Sequence, residues 1–308
     1  MRVSLIPRVA LAPVYLADEL GFFKEAGLEL DIRQLPESPQ MIPLLAGGKL
    51  DVAFGGASAA LINAVTKGAR VRIVASRDIV APNCGVAGTI WGSRRAFPNG
   101  LRDIRLLKGK RVAVTSRTSS TAFFLDLYLE SVGMSAGEVQ VLTMRAPEST
   151  AALAGGKIDA LAWGAFENDV AFTSANFVRG PSAADFVPNF QYTFVLYGPS
   201  LLDHDAETGV RFLEAYLRGV EAFMSGKTPR IFDQLAAATR SNPAAARSAC
   251  RQQFSSDGRV DRSSVQRYAD WAVKKGFVPA PVDAAALIET RYVEEALRRL
   301  DRRKAGER

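Results

Sequence analysis

One short turn occurs twice in the chain, and this duplication limits the possible folds more than any other feature. Residues 46–56 read Ala-Gly-Gly-Lys-Leu-Asp-Val-Ala-Phe-Gly-Gly, and residues 154–164 read Ala-Gly-Gly-Lys-Ile-Asp-Ala-Leu-Ala-Trp-Gly. In each copy the glycines can end a helix in the left-handed conformation, and the lysine suits the helix C-terminus. The apolar run that follows indicates a buried strand. The sequence therefore predicts the same helix, turn and strand at two places.

The repeat extends towards the N-terminus of each copy. Residues 2–6 match residues 111–115 as opening strands, and Pro-Glu-Ser occurs at both 36–38 and 147–149. Both copies thus alternate strands with helices, which is typical of a parallel sheet covered by helices. In the first part of the chain, residues 14–26 are predicted as one helix, and residues 71–75 as a strand that ends at Ser76-Arg77-Asp78. We predict an α/β protein of two lobes, each a mostly parallel sheet flanked by helices, with a ligand cleft between the lobes.

The rest of the chain contains no third copy of the turn. Residues 192–197 form a mixed apolar strand, and the sequence after Pro199 is helical. The predicted helices there span roughly residues 206–224, 229–239, 244–254, 263–275 and 293–303. Packing this helical portion on the first lobe gives lobe 1 residues 1–86 and 194–308, and lobe 2 residues 87–193. The chain then crosses between the lobes near residues 83–92 and 189–197, and two such crossings make a natural hinge.

Composition indicates an ordinary globular protein. The length of 308 residues suits about two domains. The formal charge of +7 is spread along the chain without an aromatic-interleaved basic stripe, so nucleic acid is not an expected partner. The basic run from Arg298 to Arg308 is interpreted as the solvated end of the last helix. No apolar run reaches the roughly 18 residues of a transmembrane helix.

The sequence does not decide in which cellular compartment the protein works. No basic segment followed by an apolar core opens the chain, so the sequence as given carries no secretory signal. Either the protein is cytoplasmic or a signal has been removed ahead of residue 2. Cys84 and Cys250 lie far apart, and two buried thiols are favoured over a disulfide.

Catalytic, metal-binding and cofactor-binding motifs are not found. His204 is the only histidine, which leaves no Ser-His-Asp set, Cys-His pair or zinc constellation. Gly226-Lys227-Thr228 lacks the upstream glycine of a phosphate loop, because Glu221 stands there. No Gly-x-Gly-x-x-Gly occurs either. We therefore expect no catalytic residues, no metal and no cofactor.

Four segments together resemble a known family. They are residues 15–28, Tyr-Leu-Ala-Asp-Glu-Leu-Gly-Phe-Phe-Lys-Glu-Ala-Gly-Leu; the two Gly-Lys-(Leu/Ile)-Asp turns; and residues 107–114, Leu-Lys-Gly-Lys-Arg-Val-Ala-Val. They resemble type II periplasmic binding proteins that serve ABC importers for sulfonates, taurine, nitrate and thiamine pyrimidine precursors. The resemblance covers residues 2 to about 200.

This resemblance implies a solute-binding protein that works without catalysis. An open form would capture a small anionic or aromatic molecule, such as a sulfonate, carboxylate or heteroaromatic precursor, and the closed form would dock on a membrane permease. A monomer in the periplasm, or outside the cell at the membrane, is the corresponding expectation.

The expected ligand residues of lobe 2 lie in two places. Thr118, Ser119 and Ser120 belong to a hydroxyl-rich run that opens a helix, and a helix N-terminus is a ready anion site. Plain N-capping is the alternative. Trp163 could stack on a flat ligand or belong to the core, and Gly164 follows it.

The resembled family often has an acidic residue and proline after this tryptophan. Here the acid is displaced to Glu167, so Gly164 leaves more room and less negative charge. Ligands that need that carboxylate are therefore doubtful, and an anionic or bulky aromatic ligand is favoured.

Lobe 1 supplies equivalent helix starts and two arginines. The helix starts could instead be plain helix caps, and the two arginines, Arg8 and Arg77, could instead lie on the surface. The end of a strand would direct Arg77 into the cleft, where its guanidinium could bind a carboxylate or sulfonate. The expected ligand residues of lobe 1 are Arg8, Ser38, Gln40, Gly56, Ala57, Ser58 and Arg77.

A cytoplasmic enzyme and a ligand-binding regulator are the alternatives to a binding protein. Cytoplasmic desulfinases, decarboxylases and pyrimidine synthases share this architecture, and fold does not fix function. The cysteine- and histidine-rich signature of the pyrimidine synthases is missing here. A ligand-binding regulator would need a DNA-binding or signalling domain, for which the two lobes leave no room.

Overall fold

The computed structural model describes residues 1–5, 9–35, 41–82, 88–144, 146–162, 176–227, 230–239 and 254–306. These residues form two compact units. Unit 1 contains Met1–Ile79 and the described residues from Gln191 onwards, and unit 2 contains Val80–Phe190. The chain therefore passes into unit 2 between Ile79 and Val80, and it returns to unit 1 between Phe190 and Gln191.

Among the described residues, unit 1 is an α/β structure in which five strands combine with helices from both ends of the chain. Its strands are β1 (Arg2–Ser4), β2 (Asp31–Arg33), β3 (Val52–Gly55), β4 (Arg72–Ile79) and β10 (Gln191–Tyr197). Its first four helices are α1 (Ala12–Glu19), α2 (Phe22–Glu25), α3 (Met41–Ala46) and α4 (Ala59–Thr66). The later ones are α7 (Ala206–Met224), α8 (Ile231–Thr239), α9 (Arg262–Lys274) and α10 (Arg291–Lys304). A π-helical segment, Ser200–His204, precedes α7.

The described part of unit 2 is also an α/β structure with five strands. The strands are β5 (Ile90–Ser93), β6 (Arg111–Val114), β7 (Gln140–Thr143), β8 (Ala160–Ala162) and β9 (Phe177–Arg179). Helix α5 (Ser120–Ser131) follows β6, and α6 (Ala146–Ala154) precedes β8.

The two sheets have the same strand arrangement. Unit 1 has the order β2-β1-β3-β10-β4, and unit 2 has the order β7-β6-β8-β5-β9. In each sheet the first three strands are parallel, the fourth is antiparallel to both its neighbours, and the fifth runs with the first three. The predicted mostly parallel sheets are confirmed, with one reversed strand in each.

The duplicated turn carries a duplicated ion pair. Arg2 donates its backbone N–H, Nε and Nη2 to the Asp51 carboxylate at 2.7, 3.2 and 2.6 Å. Arg111 donates the same three groups to Asp159 at 2.9, 3.1 and 2.9 Å. Each aspartate ends the turn and each arginine opens a strand, so the pair fastens the turn to the neighbouring strand in both units. We call these two pairs the Arg–Asp clamps.

The clamps lower the pKa of both aspartates. Burial of Asp51 acts to raise its pKa, but hydrogen bonds from Arg2 and Ser200 favour the carboxylate and the net pKa is lowered. The hydrogen bond from Arg111 is the main cause of the lowered pKa of Asp159.

The C-terminal helices pack on unit 1, as the sequence predicts. Helices α1 and α7 approach so closely at Gly219 that a Cβ atom there would lie 2.2 Å from the carbonyl oxygen of Pro13. Phe23 of α2 stacks on Phe212 of α7 with ring centroids 5.2 Å apart. Ahead of α10, the Glu289 backbone N–H donates to the Ile73 carbonyl on β4 at 2.8 Å.

Most helix predictions for the C-terminal portion agree with the structure. Helix α7 has the predicted bounds, Ala206–Met224, and the ends of α9 and α10 differ from prediction by only one or two residues. The helix predicted for residues 244–254 lies almost entirely outside the described residues. A membrane span needs a long and strongly apolar helix, and the described residues contain none.

The single helix predicted over residues 14–26 is wrong. It is divided into α1 and α2, because Gly21 adopts a left-handed conformation with φ of 77°. This conformation costs glycine little, since it has no Cβ atom.

Candidate functional site

The start of α5 in unit 2 carries a dense group of hydroxyls. Strand β6 ends at Val114, and the chain then runs through Thr115–Ser119 into the helix. Ser119 is the N-cap, and its Oγ accepts a hydrogen bond from the Ala122 backbone N–H at 3.4 Å. The same Oγ donates to the Ser116 carbonyl at 2.7 Å. A helix N-terminus of this kind presents free N–H groups and a favourable dipole to an anion.

The hydroxyls form one network instead of capping the helix separately. Ser119 Oγ and Thr121 Oγ1 lie 2.7 Å apart, and Thr121 Oγ1 lies 3.0 Å from Thr115 Oγ1. Ser116 Oγ accepts from the Thr118 backbone N–H at 3.2 Å. Hydroxyls donate as readily as they accept, so this network can turn its protons towards an acceptor.

Three of these network members lie outside the predicted ligand set. The sequence prediction consists of Thr118, Ser119 and Ser120. The network joins Thr118 and Ser119 of that set to Thr115, Ser116 and Thr121. Their positions in the same hydroxyl-rich run were the available signal. Sequence could not tell which hydroxyls bond to one another, because that depends on how the strand turns into the helix.

A second strand-to-helix turn, in unit 1, joins β3 to α4. Ser58 is the N-cap of α4, and its Oγ accepts from the Leu61 backbone N–H at 3.2 Å. A Cβ atom at Gly56 would lie 3.2 Å from the carbonyl oxygen of Tyr192 on β10, which leaves little room for any other residue. Gly56 and Ser58 are partly exposed, whereas Ala57 is buried. The side chain of Ala57 therefore belongs to the packing of unit 1.

Arg77 is a buried residue of β4 and not a surface arginine. The strand continues to Ile79, beyond the predicted end at Ala75, so Arg77 lies inside it. Only 3% of the residue is exposed, and its Nε and Nη2 donate to Asp78 Oδ2 at 3.0 and 2.8 Å. The guanidinium of Arg77 therefore already binds the carboxylate of Asp78. Contact between Arg77 and a ligand stays a prediction.

Two buried hydroxyls lie beside this ion pair. Thr193 of β10 is paired with Asp78 in the sheet register, and the charge of Asp78 acts on Tyr216 of α7. Burial is the main cause of the raised pKa of Tyr216, and Asp78 adds to it. Neither hydroxyl has a hydrogen-bond partner among the described residues. Unit 1 therefore contains a buried polar cluster that the sequence did not reveal.

The remaining predicted ligand residues lie outside the described part of the chain. They are Arg8, Ser38, Gln40, Trp163 and Gly164. Cys84 and Cys250 also lie outside it.

A cluster of metal-binding side chains is not found among the described residues. His204 is exposed at the end of the π-helical segment. Within the described ranges, no three His, Cys, Asp or Glu side chains come together as a metal site would need. The chemistry available at the starts of α4 and α5 is hydrogen bonding by serine and threonine hydroxyls and by backbone N–H groups.

Known proteins are similar to this chain in sequence and in fold. A protein of Brucella abortus described as a binding protein is 29% identical over 177 residues, 52% of this chain and 51% of that relative. The chain thus spans about half the length of the curated relatives it matches. The periplasmic aliphatic sulphonate binding protein SsuA of Escherichia coli superposes with a TM-score of 0.73 at 20% identity, covering 94% and 92% of the two chains. The desulfurization enzyme DSZB superposes with a TM-score of 0.64 at 15% identity, covering 97% and 99%.

These comparisons and the sheet order define the class of protein: a two-unit α/β protein with the periplasmic-binding-protein fold. The family model described as NMT1/THI5 like matches residues 9–227, more than half of the chain. The chain belongs to the NMT1/THI5-like family.

Proposed function

We propose that the protein is the solute-binding component of an ABC importer and that it binds a small organic anion. The ligand lies between the two lobes, the lobes close on it by a hinge, and the closed form delivers it to a membrane permease. The protein acts as a monomer in the periplasm or at the outer side of the membrane. The similar proteins whose names specify binding support this class. The hydroxyl network at the start of α5 supports an anionic ligand.

The hydroxyl network at the start of α5 carries the proposal of an anionic ligand. Ser119, Thr118 and Ser120 lie at the positive end of a 12-residue helix. Hydroxyls and backbone N–H groups there can donate several hydrogen bonds to one sulfonate or carboxylate group. The E. coli sulphonate-binding protein with a similar fold makes a sulfonate the first ligand class to examine.

The lobe 1 contribution is a second helix start of the same kind. Gly56 and Ser58 precede α4, whose first turn has backbone N–H groups without partners inside the helix, and Arg8, Ser38 and Gln40 complete this side of the proposed site. Trp163 and Gly164 supply a face for the apolar or aromatic part of the ligand. A ligand with one anionic group and one apolar part fits both sets of residues.

Isothermal titration with alkanesulfonates, aromatic carboxylates, pyrimidines and cationic amines tests the ligand class. We expect at least one sulfonate or carboxylate to bind and the amines not to bind. Binding of cations or neutral amines alone would contradict the proposal.

A matched pair of N-cap variants tests the site. Ser119→Ala removes a hydroxyl at the start of α5, and we expect about tenfold weaker binding of the best anion, equal to about 1.4 kcal/mol. Asp205→Ala removes the N-cap of α7, where the carboxylate accepts from Thr208 at 3.0 Å, and it touches no proposed ligand residue. Equal losses in both variants would assign the effect to helix stability.

An enzyme on the same fold is the second candidate, and its support is the fold shared with DSZB. Such an enzyme would release sulfite or another product from a bound anion. Incubating the best-binding sulfonate and the corresponding sulfinate with the protein, followed by sulfite analysis, separates the two functions. We expect the ligand to be recovered unchanged.

A further inference from the structure

The two places where the chain enters and leaves unit 2 are joined to each other. Val80 is the first residue of the unit, and its backbone N–H donates to the carbonyl of Phe190, the last residue, at 2.8 Å. The Asn189 backbone N–H donates to the Val80 carbonyl at 2.7 Å. Asn189 has a φ of 64°, the one left-handed conformation among the described residues other than glycine. We call Val80, Asn189 and Phe190 the junction.

Helix α5 holds the junction through its first turn. The ring of Phe190 stacks on Phe123 with centroids 5.2 Å apart and planes inclined by 27°. It also meets Phe124 edge-on at 6.0 Å. Both phenylalanines are buried, and the Phe123 backbone N–H donates to the carbonyl of the N-cap, Ser119, at 3.1 Å.

The next turn of α5 holds the chain on either side of the junction. Tyr128 donates its hydroxyl to the Gly88 carbonyl at 2.7 Å in a buried hydrogen bond, and its ring lies 4.7 Å from that of Phe186. A Cβ atom at Gly88 would lie 2.6 Å from the Tyr128 hydroxyl and 2.8 Å from the Phe124 ring. Gly88 has a φ of 62°, so glycine is required there for both space and conformation.

We propose that α5 is the mechanical link between the ligand and the hinge, with Phe123, Phe124 and Tyr128 as positioning residues that hold the junction. The ligand end of this link rests on the proposed function, in which the anion binds at Ser119. Phe123 follows Ser119 by four residues, a rise of about 6 Å along the helix. Ordering of the helix start by an anion therefore acts directly on the turn that carries the junction.

Amide hydrogen exchange of the free protein tests the link without any ligand. Ser119→Ala loosens the first turn of α5, and we expect the Val80 and Asn189 amides to exchange about fivefold faster. Asp205→Ala, the N-cap change in unit 1, should leave both amides unchanged. The Met144 amide, which donates to the Val114 carbonyl at 3.0 Å, reports whether unit 2 as a whole is destabilised.

Two further variants test the positioning residues. Tyr128→Phe removes the hydrogen bond to Gly88 and keeps the ring, and Tyr197→Phe is its control, since Tyr197 donates a buried hydrogen bond to the Gly209 carbonyl at 2.6 Å in unit 1. We expect faster junction exchange in the first variant only. In Phe190→Leu, adding Ser119→Ala should accelerate exchange less than it does in the wild type, because the link is already weakened.

Unchanged junction exchange in Ser119→Ala would overturn the proposal, and so would equal acceleration at Val80, Asn189 and Met144. Equal effects of Tyr128→Phe and Tyr197→Phe would remove Tyr128 from the link. Because these measurements use the free protein, they stand even when no anion binds, whereas the titrations test the ligand alone.

Discussion

Single residues decide how closely the helices of unit 1 can pack. Gly219 on α7 lies where a Cβ atom would be 2.2 Å from the Pro13 carbonyl oxygen and 2.7 Å from the Ala17 Cβ. Elsewhere in a helix, alanine is favoured over glycine by about 1 kcal/mol. Here the steric overlap with backbone atoms outweighs that preference, so the glycine is required by packing.

Replacing Gly219 by alanine should therefore destabilise the protein. We expect a loss of about 2 kcal/mol in the free energy of unfolding, because α1 and α7 must move apart. Urea unfolding followed by circular dichroism measures it. Gly137→Ala is the control, since its added Cβ would make only ordinary contact, 3.6 Å from Ser135 Oγ. An equally stable Gly219→Ala would contradict the close packing.

Some of the site residues could be predicted from the sequence and others could not. Ser58 and Ser119 were predictable, because a serine that follows a strand and precedes a helix is a typical N-cap. The burial of Arg77 was not, since nothing local in the sequence indicates that β4 continues past Ala75 or that Asp78 accepts its guanidinium. The polar cluster of Thr193 and Tyr216 was not either, because β10 and α7 come from distant parts of the chain.

The repeated element is the turn together with its Arg–Asp clamp. Asp51 and Asp159 were visible in the sequence as the ends of the two Gly-Lys-(Leu/Ile)-Asp turns, and Arg2 and Arg111 as the starts of matching strands. Their pairing depends on parallel strands lying side by side, which the structure supplies through β1 beside β3 and β6 beside β8. The clamps explain why the repeat keeps an aspartate at this position.

The clamps should make stability depend on pH in the acidic range. The pKa of an aspartate in the unfolded chain is about 3.9. In the folded protein the pKa values of Asp51 and Asp159 are lower. Their stabilisation is therefore complete above about pH 4 and is lost as the pH falls through the folded pKa. Urea unfolding between pH 7 and pH 3 measures this loss.

Removing a clamp should remove part of that dependence. Asp51→Asn should lower the free energy of unfolding at pH 7 by about 1 kcal/mol, because Arg2 is partly exposed and the pair is screened. The variant should then lose less stability than the wild type on acidification. Asp18→Asn, at an exposed aspartate of α1, is the control. Parallel pH profiles for the wild type and Asp51→Asn would contradict the clamp.

At the scale of the whole molecule, the duplicated sequence corresponds to a duplicated architecture. The sequence predicted two α/β lobes, and the sheets share one strand order and one reversed strand each. The sequence does not indicate which strand of each sheet is reversed. Strand β10 enters the sheet of unit 1 from a part of the chain more than a hundred residues after β4, and no local pattern specifies such a partner.

Hinge closure on the ligand is part of the proposed function, and it requires the ligand to stabilise the closed lobes over the open ones. In the proposed function, the anion at the start of α5 does so by binding residues of both lobes, and the junction carries the movement, since it is where the chain enters and leaves unit 2.

Small-angle X-ray scattering, with and without saturating amounts of the tightest-binding anion from the titration panel, tests this account most directly. We expect a smaller radius of gyration with the anion, and no compaction with an amine that does not bind. Unchanged dimensions at saturating anion would contradict closure of the two lobes on a ligand.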